Sequence, residues 1–376
     1  MAGVPRLSRR TRWAVPIGAL VITGAVTAGS LISVAQASPG LPPRTPAQLL
    51  VQVADSTTPP LTGTVVETTS LGLPSLPGTA NPTSIASLLT GSHTVNVWYA
   101  GPRHFRLAVP GQLSETDLIA DGSTAWLWES TANSVTEYSL PPGARAPATP
   151  PTPAPLTPQQ AAQQVLAAVG KTTTVSVDTN VTVAGQPAYE LVLAPRDSRS
   201  LVGQVQIAVD GRNGVPLRLQ VYARGASSPA FQVGYTAIQF VTPAPADLSF
   251  SPPPGAKITR ESLDGAQRSG AAPDVSTIGS GWLTVLDLPS AGLTTPNGSG
   301  AAPGSGGTGD SAAVLNALLR SATPVSGTWG SGRLLRTSLV SVLITDGGRV
   351  FVGAVQPSVL YAAAGQAATS SQTQAP

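Results

Sequence analysis

The sequence predicts a mainly β chain: one large, twisted antiparallel sheet followed by a small α+β unit. Three observations carry this. Apolar and polar residues alternate with a period of two in about ten segments between Thr64 and Phe250. Turn residues such as Asp121-Gly122 and Asp210-Gly211 separate neighbouring segments. Helical periodicity hardly intervenes, so successive strands have no material for parallel crossovers and pair antiparallel.

The elements follow in order. Arg6, Arg9, Arg10 and Arg12 precede an uncharged apolar run from Ala14 to Ala35. Ala35-Gln36-Ala37 then offers the small residues a signal peptidase reads, with Ser38 as the new N-terminus. The run is also long enough, at ~20 residues, to span a bilayer. Residues 1–37 are therefore a signal peptide or a membrane anchor. Arg9-Arg10 matches a twin-arginine signal poorly, which leaves the route open. Either way the remaining chain works outside the cytoplasm, in the cell envelope or secreted.

Pro46 to Ala54 reads as a helix capped by Thr45, with Leu49, Leu50 and Val53 on one side. Thr64 to Thr69 is a strand. Residues 71–89 form a Pro/Gly/Ser-rich excursion carrying Leu71, Leu73, Leu76, Ile85, Leu88 and Leu89, more leucine than an exposed loop needs. Val95, Val97 and Tyr99 share a face, as do Phe105, Leu107 and Val109 against His104 and Arg106. Asp117 to Asp121, Thr124 to Glu129 and Val135 to Leu140 complete this run, and Trp126 and Trp128 point the same way. Pro141 to Pro158 is a proline-rich crossing. A helix from Gln159 to Val169 follows, stopped by Gly170 and lined by Val165, Leu166 and Val169.

Strands then resume at Val175 to Val183, Tyr189 to Leu193, Val205 to Val209, Leu217 to Val221 and Phe231 to Tyr235, leading to Ile238 and Phe240. Leu248, Phe250 and Pro252-Pro253-Pro254-Gly255 end the first unit, 38–258. A linker spans 259–276. The second unit, 277–362, has a strand at Trp282 to Leu288, a flexible Gly/Ser/Ala-rich insert at 291–310 and a helix at Ser311 to Arg320. A strand pair, Trp329 to Thr345 and Arg349 to Val355, closes it. Residues 363–376 read as a disordered tail.

Composition narrows the chemistry. Only 10% of the 376 residues are charged, against the usual ~25%. Removing the four N-terminal arginines from the 21 basic residues leaves 17 against 18 acidic ones. No basic face for nucleic acid survives that subtraction. There is no cysteine, which excludes disulfides, thiol nucleophiles and an acylated N-terminal cysteine. His93 and His104 are the only imidazoles, too few for a His-rich metal site. Both read as satisfied or solvated rather than catalytic. No Gly-x-Ser-x-Gly elbow occurs. Glu115 and Asp117 share a strand face, as an acid/base pair would, but by residue type they read as a solvated edge. No cofactor, metal or catalytic residue is expected, and the chain reads as a noncatalytic binding protein.

What remains is apolar area. A face carrying Val97, Tyr99, Phe105, Leu107, Trp126 and Trp128, continued by Tyr189, Leu191, Ile207 and Leu219, is more than an isolated sheet can leave wet. The cover comes from Leu49, Leu50 and Val53, from Leu88 and Leu89, and from Val165, Leu166 and Val169. One reading is ordinary core packing beneath that cover. The other is an incomplete cover over a hydrophobic cavity, where a guest hydrocarbon gains ~0.8 kcal/mol per buried CH₂.

Several of these segments are similar to a known superfamily. Leu49-Leu50-Val51-Gln52-Val53, Gly63-Thr64-Val65-Val66, Trp98-Tyr99 and Phe105-Arg106-Leu107 resemble LolA-like proteins. So do Ala188 to Leu193, Val205 to Val209, Asp210 to Gly214 with Val215-Pro216-Leu217-Arg218-Leu219, and Phe250 to Gly255. The resemblance covers roughly residues 45–258. It implies an unclosed antiparallel β-barrel with a helical lid over a hydrophobic cavity, and a carrier for lipid or acylated lipoprotein. It makes Arg106 a candidate for the carrier's internal arginine. The second unit, where a strand ends Leu286-Asp287-Leu288-Pro289, resembles the two-domain RseB-like regulators. These imply envelope-stress regulation by binding an anti-sigma factor or another membrane protein partner. A composition high in Ala, Gly and Pro without cysteine suits an actinobacterial exported protein, in which an outer-membrane shuttle role has no obvious place.

Overall fold

The structure is a computed structural model and describes residues 41–73, 90–139, 171–262, 275–289 and 317–373. The expected signal or anchor, the helix at Gln159 to Val169 and most of the 71–89 excursion lie outside the described residues.

Helix α1 (Pro46–Asp55) starts where the sequence places it. The Thr45 hydroxyl accepts from the Gln48 backbone N–H, and the Gln48 side chain accepts from the Thr45 N–H at 2.8 Å. This reciprocal cap satisfies two amides that a helix start leaves open. The strands of the first sheet follow: β1 (Leu61–Ser70), β2 (Thr90–Gly101), β3 (His104–Pro110), β4 (Glu115–Asp121), β5 (Thr124–Glu129), β6 (Ser134–Ser139), β7 (Thr173–Val183), β8 (Gln186–Pro195), β9 (Val202–Asp210), β10 (Pro216–Ala223) and β11 (Pro229–Gln239). A short helix, α2 (Pro245–Leu248), precedes β12 (Lys257–Ser262).

The order is β12-β6-β5-β4-β3-β2-β1-β11-β10-β9-β8-β7. Every pair is antiparallel except β12, which lies parallel to β6. The sheet does not close, because β12 and β7 are its two edges. The chain expected to be linker from residue 259 onward thus begins as strand. Leaving β11, the segment 241–256 crosses back over the sheet, and such a return delivers a strand parallel to its neighbour.

Among the described residues the second unit has six strands rather than three: β13 (Ser276–Ile278), β14 (Val285–Pro289), β15 (Thr323–Gly327), β16 (Gly330–Arg336), β17 (Ser341–Thr345) and β18 (Arg349–Gly353), ordered β13-β14-β18-β17-β16-β15. The stretch from Trp329 to Thr345, expected as one strand, breaks at residues 337–340, where Thr337 and Val340 close a tight turn. Trp282 sits in a short 3₁₀ turn, Gly281–Leu283, instead of the strand. The residues past Tyr361 are not a disordered tail through Thr373. They belong to helix α3 (Pro357–Thr373), which buries Leu360, Ala363 and Ala364 against Val285, Leu343 and Phe351. An alanine-rich segment has high helix propensity and small side chains that approach a sheet closely.

The two sheets are joined by more than a linker. Leu201 N–H donates to the Ala354 carbonyl at 2.9 Å and Gln356 N–H to the Arg199 carbonyl at 2.7 Å. Ser338 N–H donates to Leu71, and the Trp282 indole to the Thr173 hydroxyl at 2.7 Å. Leu339 joins Val202, Val205, Val221 and Ala230 in one buried cluster, with Trp282, Val340 and Ala354 packed around it. The second unit is therefore part of the first sheet's cover, a role the sequence does not assign to it. Replacing Leu339 with alanine is expected to lower unfolding stability by about 2–3 kcal/mol. Urea unfolding followed at Trp282 measures it. A variant as stable as the parent would place Leu339 outside the cluster.

Candidate functional site

The strand register sorts the side chains onto two faces. On one face Val97, Leu107, Leu118 and Leu127 stand directly opposite one another across β2 to β5. The next rung carries Leu61, Tyr99, Phe105, Ala120 and Ala125. Across the sheet, Leu191, Ile207, Leu219, Val233, Glu67 and His93 form another row of the same face. The N-terminal segment lies on this face: the Tyr189 hydroxyl donates to the Pro42 carbonyl at 2.7 Å, and the Arg44 guanidinium stands 5.5 Å from the Tyr189 ring centre. We call it the helix face.

Eight of the ten expected cavity residues share it: Val97, Tyr99, Phe105, Leu107, Tyr189, Leu191, Ile207 and Leu219. They do not share one environment. Tyr189 and Leu191 are fully buried. Ile207 and Leu219 pack against the cluster that includes Leu339 of the second unit. Val97 and Tyr99 pack against Leu61, Leu217 and Ile238. Phe105 and Leu107 remain half-buried, as do Leu118 and Leu127, which sequence reasoning passed over. Among the expected covering residues, Leu49 is fully buried and Leu50 and Val53 are half-buried. Leu88, Leu89, Val165, Leu166 and Val169 lie outside the described residues.

Trp126 and Trp128 point the other way. They pair with Ile119 and Asp117 on β4, and Ile119 pairs with Arg106, which pairs with Trp98. A shift of one residue in register moves a strand's whole side-chain set to the other face. Both tryptophans alternate correctly along β5, but their phase relative to β3 depends on the hairpin at Asp121-Gly122. That hairpin sets Asp121 opposite Thr124 and hence Ile119 opposite Trp126. Counting from this turn would have found the correct face, and Leu118 and Leu127 with it.

This second, tryptophan face has its own cover. Phe250 sits with its ring centre 5.9 Å from Trp126 and 6.4 Å from Trp128, and α2 packs on β3 and β4. Beneath lies an ion cluster. Arg106 pairs closely with Asp117, reaches to 3.8 Å from Glu115, and stands 5.5 Å from the Trp98 ring centre. Asp117 is fully buried, not a solvated edge. Burial raises its carboxyl from the ordinary value to about 6. Arg106 opposes that rise and Glu115 adds to it. Asp117 Oδ1, Trp128 Nε1 and Arg106 Nε are buried with no hydrogen-bond partner among the described residues.

The helix face holds one polar patch. Glu67 and His93, both buried, stand opposite each other, and the Thr69 hydroxyl donates to Glu67 Oε1 at 3.0 Å. Burial raises the Glu67 carboxyl, against the smaller effects of Thr69 and His93. His104 sits 3.4 Å from Asp121 on the surface. Asp210 accepts the Arg212 and Asn213 N–H groups at 2.9 and 2.6 Å within its turn, the local role its position suggests. An open cleft lined by Gln52, Ser56, Thr57, Pro59, Arg212 and Asn213 is polar and does not suit hydrocarbon. Among the described residues, no three acidic or histidine side chains gather as a metal site would need, and no helix is long and apolar enough to cross a membrane.

Fold and site together define a mainly β protein with a large unclosed sheet, an apolar face on it, and a second small sheet docked against that face. No family model matches the chain, and no curated protein does. Among solved structures, the chain is similar to the Pseudomonas aeruginosa MucA/MucB complex, at 14% identity, 85% of this chain, 96% of that chain and a TM-score of 0.41. An uncharacterized conserved protein from Thermus thermophilus gives 13% identity, 57% and 98% coverage and a TM-score of 0.31. A LolA superfamily protein from Nitrosomonas europaea gives 11%, 55% and 99%, and 0.21. At these identities and TM-scores, the likenesses assign neither ligand nor partner to this chain.

Proposed function

We propose that this chain is a noncatalytic extracytoplasmic protein that binds hydrocarbon, from a lipid or an acylated lipoprotein, on the helix face of its large sheet. One observation carries the reading. The row Val97–Leu107–Leu118–Leu127, with Phe105 beside it, stays half-buried where the face's other half is closed by Pro42 on the Tyr189 hydroxyl and by Leu339. Half-wet leucines in a continuous row are a binding surface for an alkyl chain, and each methylene buried there contributes ~0.8 kcal/mol. Units of about 38–258 and 277–362 fit this division of labour, with the first extended to Ser262 by β12 and the second to Thr373 by α3.

The test is native mass spectrometry of gently purified protein, with uptake of a fluorescent fatty acid. The parent is expected to carry or take up lipid. The double substitution Leu107→Asp and Leu118→Asp is expected to weaken uptake at least tenfold, since two charges on that row must stay hydrated. Equal uptake by both proteins would remove the row from the site, and no uptake by the parent would end the lipid reading.

A second reading is a regulator that binds a membrane protein partner. It is favoured by the main-chain bonds that join the second unit to the large sheet. Pull-down from membranes with the full chain, compared with Leu339→Ala, separates the readings. Loss of a captured partner with fatty-acid uptake unchanged would favour the regulator.

A further inference from the structure

The tryptophan face plays no part in the function proposed above, yet it holds a fully buried carboxyl group paired with an arginine. Its cover is thin. Of segment 241–256, Pro243 is buried, while Val241, Ala244, Pro245, Ala246, Ser249 and Ser251 are exposed. The segment bonds mostly to itself: Asp247 N–H to Ala244, Ser249 N–H to Pro245, Ala256 N–H to Pro253, and the Asp247 carboxylate accepting from Ala244 N–H. It is tied to the sheet at its far end, where Lys257 N–H donates to the Asn133 carbonyl at 2.9 Å and the Asn133 amide to Pro254. Between its ends, the Phe250 ring on Trp126 and Trp128 and the packing of α2 on β3 and β4 hold it down.

Under that seat is a carboxyl group whose environment favours its neutral form. Asp117 stands opposite Trp128, with no exposure, and among the described residues one of its oxygens and the neighbouring indole N–H have no hydrogen-bond partner. Lifting the cover would let water reach both. We propose that segment 241–256 is a pH-responsive cover, seated on Trp126 and Trp128 when Asp117 is protonated and displaced toward solvent when Asp117 is ionised. The direction follows from linkage. Burial, the largest cause, raises the folded-state carboxyl to about 6. The closed state therefore binds the proton more tightly than an open, solvated one, and falling pH favours closure. Protonation costs the Arg106 ion pair, but Arg106 keeps Glu115 at 3.8 Å and the Trp98 ring.

The other charged groups on this face near Asp117 are accounted for, and the Arg218–Glu190 pair lies away from it on β10 and β8. β3 contributes Arg106 and His104, β4 contributes Glu115 and Asp121, and β6 contributes Glu137, which Arg260 of β12 approaches at 3.6 Å. Lys257 begins β12, and α2 contributes Asp247, which caps its own helix. His104 is paired with Asp121 at the far end of β3, and among all these groups Asp117 alone is both fully buried and raised to about 6.

The experiment is ¹⁹F NMR of the full chain carrying fluorotryptophan, with Trp126 and Trp128 assigned through W126F and W128F, between pH 4 and 8. Both signals are expected to move together, with a midpoint between the ordinary carboxylate range and about 6 and no further change above it. F250A should hold them at the high-pH position throughout, and D117N at the low-pH position. Signals that do not move in the parent overturn the proposal. So does an unaltered transition in D117N, which would assign the titration to another group. Should D117N fail to fold, F250A decides alone, because a full transition persisting without the Phe250 ring excludes the cover as its origin.

Discussion

Replacing Arg106 with methionine is expected to lower unfolding stability by about 3 kcal/mol at pH 7.5, the low end for a broken buried pair because displacement of segment 241–256 lets water reach Asp117. Among the described residues, the guanidinium is the close counter-charge to a carboxylate with no solvent exposure. Methionine keeps much of the packing on Trp98 and removes only the charge and its hydrogen bonds. The cost should depend on pH with a definite sign. Asp117 already has its folded-state carboxyl raised to about 6, so its ionised form weakens the fold above that pH. Stability from this group is present below the ordinary carboxylate range and is lost as pH rises through 6. Without Arg106 the carboxyl rises further and the penalty at pH 7.5 grows, while at pH 5 the buried group is neutral and the variant should recover part of its loss. Urea unfolding at both pH values measures this. An equal loss at pH 5 and 7.5 would mean that Arg106 contributes packing rather than charge.

Gly332→Ala is expected to disrupt the second sheet, with a loss of about 3 kcal/mol or more. A Cβ on Gly332 would fall 2.2 Å from the Ile344 carbonyl oxygen and 2.9 Å from the Thr345 Cα. Both are backbone atoms of the adjacent strand β17, so no side chain can swing away to make room. The strands must separate or slip, and Leu343, fully buried at the centre of the second core, goes with them. Because Leu339 follows on the same β16–β17 connection, the damage should spread to the first sheet's cover. Thermal unfolding, with hydrogen exchange of β16 and β17, tests this. A variant melting within a degree or two of the parent would show that the sheet can widen there without cost.

Much of this architecture was legible in the chain's alternation. Val95-Asn96-Val97 and Leu191-Val192-Leu193 could hardly be other than strands, and Thr45-Pro46 announced a helix start that the structure reproduces down to its cap. The alternation did not say which face of one hairpin matches which face of the next. Alternation therefore groups Trp126 with Phe105, whereas the register sets it opposite Ile119 and, beyond it, Arg106. Residue type misled at Asp117 as well. A carboxylate on a strand usually faces water, but this one is buried opposite Trp128, on a face that Phe250, more than a hundred residues later in the chain, covers. The edge strand β12 was missed because Lys-Ile-Thr-Arg-Glu-Ser lacks the apolar repeat that marks a central strand. Its pairing with β6 rests on backbone bonds, which carry no side-chain signature.

Local pattern was enough to establish strands, turns, the first helix and an apolar surplus, since each depends on residues within a few positions of one another. Which leucines stay half-wet, which carboxyl is driven neutral, and where the second sheet closes over the first depend on segments brought together from distant parts of the chain. Burial and charge are properties of that assembled surface, and no stretch of residues contains them alone.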